Sequence, residues 1–248
     1  VDTNGAVTGF VCGCNKGFVI GGGDPHFTTW NGEKFSFHGE CDLVLIRNPE
    51  FANGLGIHIY GRTKIHHNWS AFVSAAIQIG HDVLEVHGKT EYWINGFPDA
   101  TLPATIGGYK VTMDSKGPHM RSFDIHLGVD GKFINVKAYD EFVWVSVKKP
   151  NDEDFVGASG LFGSYGSGHK VGRDGVTLFY DPNTFGQEWQ VRDTDPMLFH
   201  EAEGPQYPKQ CKLPEHAKLD AAEKIRRLRK NAEGERFFES AHKACAAA

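Results

Sequence analysis

Asp24-Pro25-His26, preceded by Gly21-Gly22-Gly23, is the stretch of this chain whose residue types most directly imply chemistry. An aspartate carboxyl can attack its own main-chain carbonyl carbon, and the tertiary nitrogen of proline leaves more readily than the nitrogen of an ordinary amide. His26 follows at once as a group able to deliver a proton, and the glycines let the backbone bend sharply. Two readings fit these residues. One is a tight turn opening a strand; the other is an acid-labile bond cleaved from within the chain, with Asp24 as nucleophile and His26 as proton donor.

Other reactive side chains are less ordered in sequence. Thirteen histidines invite a metal reading, above all His66-His67 with His58 on the preceding strand. No motif fixes ligand geometry there, so scattered surface histidines are expected. Glu85 and Asp124 are imaginable as a glycosidase pair, yet nothing in the sequence sets their separation. There is no Gly-x-Ser-x-Gly elbow, phosphate loop or dinucleotide fingerprint, and Gly163-Ser164-Tyr165-Gly166-Ser167-Gly168 lacks the lysine and following helix of a phosphate loop. An enzyme acting on external substrates is therefore not expected.

The elements that must position these residues read as β from Phe27 to about Val147. Asp42–Ile46 is a buried run; 56–60, 71–79, 83–86 and 92–94 alternate apolar with polar, as do 109–113, 123–127, 133–139 and 142–147. Asn95-Gly96 and Asp130-Gly131 are hairpin-turn signals. Short strands at near-regular spacing predict an antiparallel sandwich or barrel. Residues 1–22 are Gly-rich with two cysteines and read as a leader adding at most an edge strand. Past Cys211 the texture changes: Pro214 opens a stretch rich in Ala, Leu, Glu, Lys and Arg, predicting a helical appendage over 212–248. Its basic run 225–230 reads as a solvated helix face or as a contact for an acidic polymer.

At 248 residues, with 12% aromatic residues and a net charge of −5, the chain has material for a real core and no reason to seek nucleic acid. No apolar run approaches the roughly 18 residues of a membrane helix. Val1–Gly5 is neither basic nor followed by an apolar core, so a secreted protein would begin here after processing or excision. Five cysteines, Cys12, Cys14, Cys41, Cys211 and Cys245, do not make a zinc knuckle. Asn68-Trp69-Ser70 is a glycosylation sequon, compatible with an oxidising, extracellular compartment.

Three motifs in order carry a resemblance. GGGDPHFTTWNGEKFSFHGECDLVLI, then Ser159-Gly160-Leu161-Phe162-Gly163-Ser164-Tyr165, then Phe185-Gly186-Gln187-Glu188-Trp189-Gln190-Val191 together resemble the von Willebrand factor type D domain over about 24–191, most closely the modules of diatom and related algal secreted proteins. The resemblance implies an antiparallel β-sandwich over 23–211 followed by the C-terminal helical appendage. It implies a Cys41–Cys211 disulfide, worth roughly 4–5 kcal/mol in the chain-entropy model. Cys245 then pairs with Cys12 or Cys14, leaving one cysteine over. It implies autocatalytic cleavage at Asp24–Pro25 in some members, and a calcium site whose residues here are Asn31, Ser164 and Asp174. Asn31 and Ser164 replace the usual aspartate and asparagine, and Gly166 replaces an acidic ligand. Ser159 and Phe162 stand where the family carries cysteines, and Phe162 is expected to fill the core.

The function so implied is an extracellular structural or adhesive module of a larger secreted or cell-surface protein. Its expected partners are copies of itself, other matrix proteins or matrix polysaccharide. A carbohydrate-binding module using exposed aromatics such as Trp30, Trp69 and Trp93 is the alternative, and an extracellular hydrolase the third.

Overall fold

A computed structural model describes residues 18–66, 69–128, 131–150, 152–201 and 211–214. In chain order its strands are β1 (Phe18–Gly22), β2 (His26–Thr28), β3 (Lys34–Ser36), β4 (Asp42–Asn48), β5 (Ile57–His66), β6 (Trp69–Ile79), β7 (Asp82–His87), β8 (Tyr92–Ile94), β9 (Phe97–Pro98), β10 (Ala104–Ile106), β11 (Tyr109–Ser115), β12 (Met120–His126), β13 (Phe133–Tyr139) and β14 (Phe142–Lys148). They form two antiparallel sheets: eight strands in the order β10-β11-β12-β13-β14-β1-β2-β3, and six in the order β4-β5-β6-β7-β8-β9. Three short helical segments, α1 (Phe51–Gly54), α2 (Asp152–Phe155) and α3 (Pro182–Glu188), and a 3-10 turn at Gly88–Thr90 complete the described elements.

Alternation sets which face each strand buries. Phe123 and Ile125 of β12, Ile134 and Val136 of β13, and Val143, Val145 and Val147 of β14 point inward from the large sheet. Leu84 and Val86 of β7 and Tyr92 and Ile94 of β8 meet them from the small one, and the Tyr92 and Phe123 rings lie 5.0 Å apart across the core. Asn95 and Gly96 both take positive φ, joining β8 to β9 through the turn that their dipeptide predicts.

β5 and β6 are buried almost continuously, as strands covered on both faces are. The cover on the outer side comes from the C-terminal half. Arg47 N–H donates to Ser159 O, Leu161 N–H to Val44 O and Val191 N–H to Asp42 O, closing the free edge of β4. From there residues 189–201 pass over β5, where Arg62 donates to Glu201 O at 2.7 Å and stacks its guanidinium over Phe199, to reach β7. Arg62 is itself fixed by a bidentate pair with Asp42, 2.7 and 2.8 Å. The Cys41–Cys211 disulfide is formed and ties the start of β4 to residues 211–214. Phe162 is buried, edge-on to Trp30 at 6.4 Å.

One boundary shifts. Phe18–Gly22 is no edge of the leader: β1 runs inside the large sheet, hydrogen-bonded to β14 on one side and β2 on the other. A division after residue 22 therefore cuts a β-hairpin. The remaining leader, Cys12, Cys14, Asn68, Cys245 and the predicted helix with its basic run lie outside the described residues.

Candidate functional site

The Asp24–Pro25 bond forms the turn of the β1–β2 hairpin. Gly23 has φ +61°, and a Cβ there would sit 2.8 Å from Trp144 Nε1, so only glycine fits without displacement. The backbone on either side is pinned. Gly23 N–H donates to Val143 O at 3.0 Å, Gly23 O accepts from Phe72 N–H at 2.9 Å, and Pro25 O accepts from Phe37 N–H at 3.2 Å. Across the proline, His26 N–H donates to Asp24 O at 2.5 Å. That bond closes a three-residue turn and polarises the carbonyl whose carbon the Asp24 carboxyl can reach.

Two imidazoles flank that carboxyl. His26 Nε2 lies 3.4 Å from Asp24 Oδ2, and His38 Nδ1 lies 3.4 Å from Oδ1. His26 Nδ1 is 2.6 Å from Ser36 Oγ on β3, which orients the ring. Asp24, His26 and Ser36 line an open groove of about 490 Å³ walled by Trp144, Phe27 and Phe35. The arrangement supplies a nucleophile, a polarised carbonyl, a poor amide at the leaving position and an exposed proton carrier in one turn.

The residues implied for calcium are partly brought together. Asn31 lies against the 163–168 loop: a Cβ on Gly168 would be 2.3 Å from Asn31 Cβ. Asn31 Oδ1, however, already accepts from Thr29 Oγ1 at 2.5 Å and from Glu33 N–H at 3.0 Å, and Glu33 is paired with Lys170. Ser164 spends its N–H on His169 O. Asp174 caps a turn of its own, accepting from Thr177 Oγ1 and from the N–H groups of Val176 and Thr177; these bonds hold its carboxyl down at about 2.

A second group was only half legible in sequence. Glu85 and His87, two apart on β7, project from the face opposite Leu84 and Val86, and His200 arrives over them from the 189–201 segment. Glu85 Oε1 accepts from His87 Nε2 at 2.5 Å and His200 Nδ1 at 2.9 Å, while Oε2 accepts from His200 N–H at 3.0 Å. Glu85 is buried, yet these hydrogen bonds hold its carboxyl below the ordinary range against the opposing effect of burial. One ligand atom from each residue lies within 4.8 Å of the others, so the three form a group of the kind that coordinates a metal ion. The Glu85-x-His87 spacing was visible as strand alternation, but His200 lies 115 residues beyond Glu85 and no local pattern announces it.

The remaining expectations resolve individually. Asp124 projects outward from the large sheet, bonded to Asn135 Nδ2 at 2.7 Å, so it cannot face Glu85 on the outer side of the small sheet. His58 and His66 sit eight residues apart along β5, about 26 Å at strand rise, and make no joint site. His67 lies outside the described residues. The expected row of exposed tryptophans loses Trp30, which is buried with Nε1 donating to Gly163 O; Trp69 and Trp93 are half-buried. No helix among the described residues is long and apolar enough to cross a membrane. No protein-family model matches this chain.

Proposed function

We propose that this protein is an extracellular structural module of the von Willebrand factor type D kind that cleaves its own Asp24–Pro25 bond. The observation carrying the reading is the hydrogen bond from His26 N–H to the Asp24 carbonyl, made while two imidazoles hold the Asp24 carboxyl beside it. An Asp24 Oδ attacks the main-chain carbonyl carbon of the same residue, and the developing oxyanion is stabilised by the His26 N–H. The carbon–nitrogen bond to Pro25 then breaks, the proline nitrogen takes a proton from the His26 imidazolium, and Asp24 is left as a cyclic anhydride. Water opens it to the free acid. A hydroxyl or amine of a neighbouring matrix molecule opens it instead to an ester or amide, with one carboxyl freed, which is a covalent route to assembly.

Cleavage would not release β1, because its ladders to β14 and β2 do not depend on the broken bond. The exposed strand β9, with Phe97 72% accessible at the rim of the small sheet, offers a further edge for self-association. Calcium, in this reading, would have to displace hydrogen bonds at both Asn31 and Asp174, each of which is committed to its own turn. A sugar-binding role keeps only the half-buried Trp69, Trp93 and Trp144, and the last of these walls the cleavage groove.

The test compares the intact protein with D24N and H26A during incubation in mild acid. The wild-type chain is expected to yield a fragment beginning at Pro25. D24N should yield none, and H26A should be slowed by roughly 10²–10⁴-fold, the usual contribution of a positioned proton donor. An H26A rate equal to the wild type would reduce the bond to ordinary Asp-Pro acid lability, and a D24N rate equal to the wild type would remove Asp24 as the nucleophile; either overturns the proposal.

A further inference from the structure

We propose that Glu85, His87 and His200 bind one zinc-class divalent cation, which clamps the 189–201 segment onto the outer face of the small sheet. This inference is independent of the Asp24–Pro25 reading.

Three features make this a built site. The ligand types are two imidazoles and one carboxylate, the set that suits zinc and related borderline ions, and the pair of imidazoles disfavours calcium, which takes oxygen ligands. The ligand atoms already converge: Oε1 of Glu85 is 2.5 Å from His87 Nε2 and 2.9 Å from His200 Nδ1. Bonds of about 2.1 Å to a tetrahedral ion need ligand separations near 3.4 Å, so each imidazole nitrogen has to draw back from Oε1 by less than about 1 Å to admit the ion. The ion takes the place of the two N–H protons now shared with Oε1.

The surroundings hold the ligands in that direction. Glu85 Oε2 is anchored by His200 N–H at 3.0 Å, leaving Oε1 aimed at both imidazoles. His200 presents Nδ1 to the group while its Nε2 lies 3.7 Å from Glu201 Oε1, the outer carboxylate that commonly orients a ligating histidine. Trp93, directly across from Glu85 in the β7–β8 ladder, lays its ring 4.6 Å from His87 and 4.4 Å from His200 and limits their rotation. Arg62 fixes Glu201 O, and Phe199 is buried beneath it, so the segment delivering His200 is itself ordered. Three protein ligands leave a fourth position for water or an external donor.

The experiment uses the full chain with its disulfide intact, stripped by a chelator and titrated calorimetrically with Zn²⁺ alone. The wild type is expected to bind one equivalent that H87N and H200N both lack, weakened by at least the roughly 100-fold upper limit seen for outer-shell partners. E201Q keeps all three ligands and should weaken the same equivalent about tenfold. Zn²⁺ should raise the melting temperature of the wild type and leave that of H200N unchanged; the melting of each variant in chelator shows whether it is folded. A wild type that binds no equivalent beyond those of H87N and H200N overturns the proposal. So does a wild-type melting temperature unmoved by Zn²⁺, or Ca²⁺ binding as tightly at these three residues.

Discussion

Asp24 and His58 show how differently single polar residues are used here. Around Asp24, exposure is retained: the carboxyl and the His26 imidazole stay accessible along the groove, and the proposed reactivity rests on alignment within one turn. His58, on β5, is instead held neutral, with burial first and the Arg47 charge second pushing its pKa below the ordinary 6.5. The unfolded chain takes up a proton near 6.5, the folded protein only at lower pH. His58's contribution is therefore whole above about 6.5 and is lost as pH falls from there through the folded value. Urea unfolding of wild type and H58Q at about pH 7 and about pH 5 should show the variant losing less stability over that interval. Parallel losses in the two proteins would remove His58 as the cause. The Asp24-Pro25-His26 juxtaposition was legible because its parts are adjacent in sequence. The Glu85, His87 and His200 group was half legible, since alternation places the first two on one face and only the fold supplies the third.

The hairpin of β1 and β2 converts that local chemistry into a fixed geometry. Its glycines are read from sequence as freedom to bend, yet in place Gly22 and Gly23 are close-approach positions against Trp144. Gly23→Ala forces a left-handed alanine and a Cβ into the indole, and is expected to cost about 1–3 kcal/mol in denaturant unfolding and to slow cleavage by moving Asp24. Unchanged stability with unchanged cleavage would show that the turn is not held as described. The meander from β11 to β14 was legible because period-two alternation is strong wherever one face is buried and the other solvated. β1, β2 and β10 were not, being too short or too glycine-rich to show a period. The 189–201 segment has no period at all. It is held by irregular hydrogen bonds and by Arg62, and only the pairing of distant strands creates the surface it covers.

At the scale of the molecule, two sheets share one core, and the Cys41–Cys211 bridge closes the chain around it across a sequence separation of 170. Removing the bridge with C41S/C211S should cost about 2–5 kcal/mol, read as a lower denaturation midpoint with the unfolding slope increased by the less constrained unfolded chain. A midpoint equal to that of the wild type would contradict a structural role. The β1 ladders determine what the proposed self-cleavage would do: the Cys41–Cys211 bridge lies wholly on the Pro25 side of the cut, so pairing of β1 with β14 and β2 would alone keep the new ends in one folded unit. That combination, a scaffold that breaks one bond yet stays assembled, is the centre of the account. Its most direct test is the intact mass of the wild-type chain after mild acid and reduction, with the N-terminus of each species sequenced. The account predicts two fragments, one beginning at Pro25, whose masses sum to the chain plus one water, from protein that still migrates as a single folded species before denaturation. A single uncleaved mass under those conditions, with no chain ever beginning at Pro25, would contradict it.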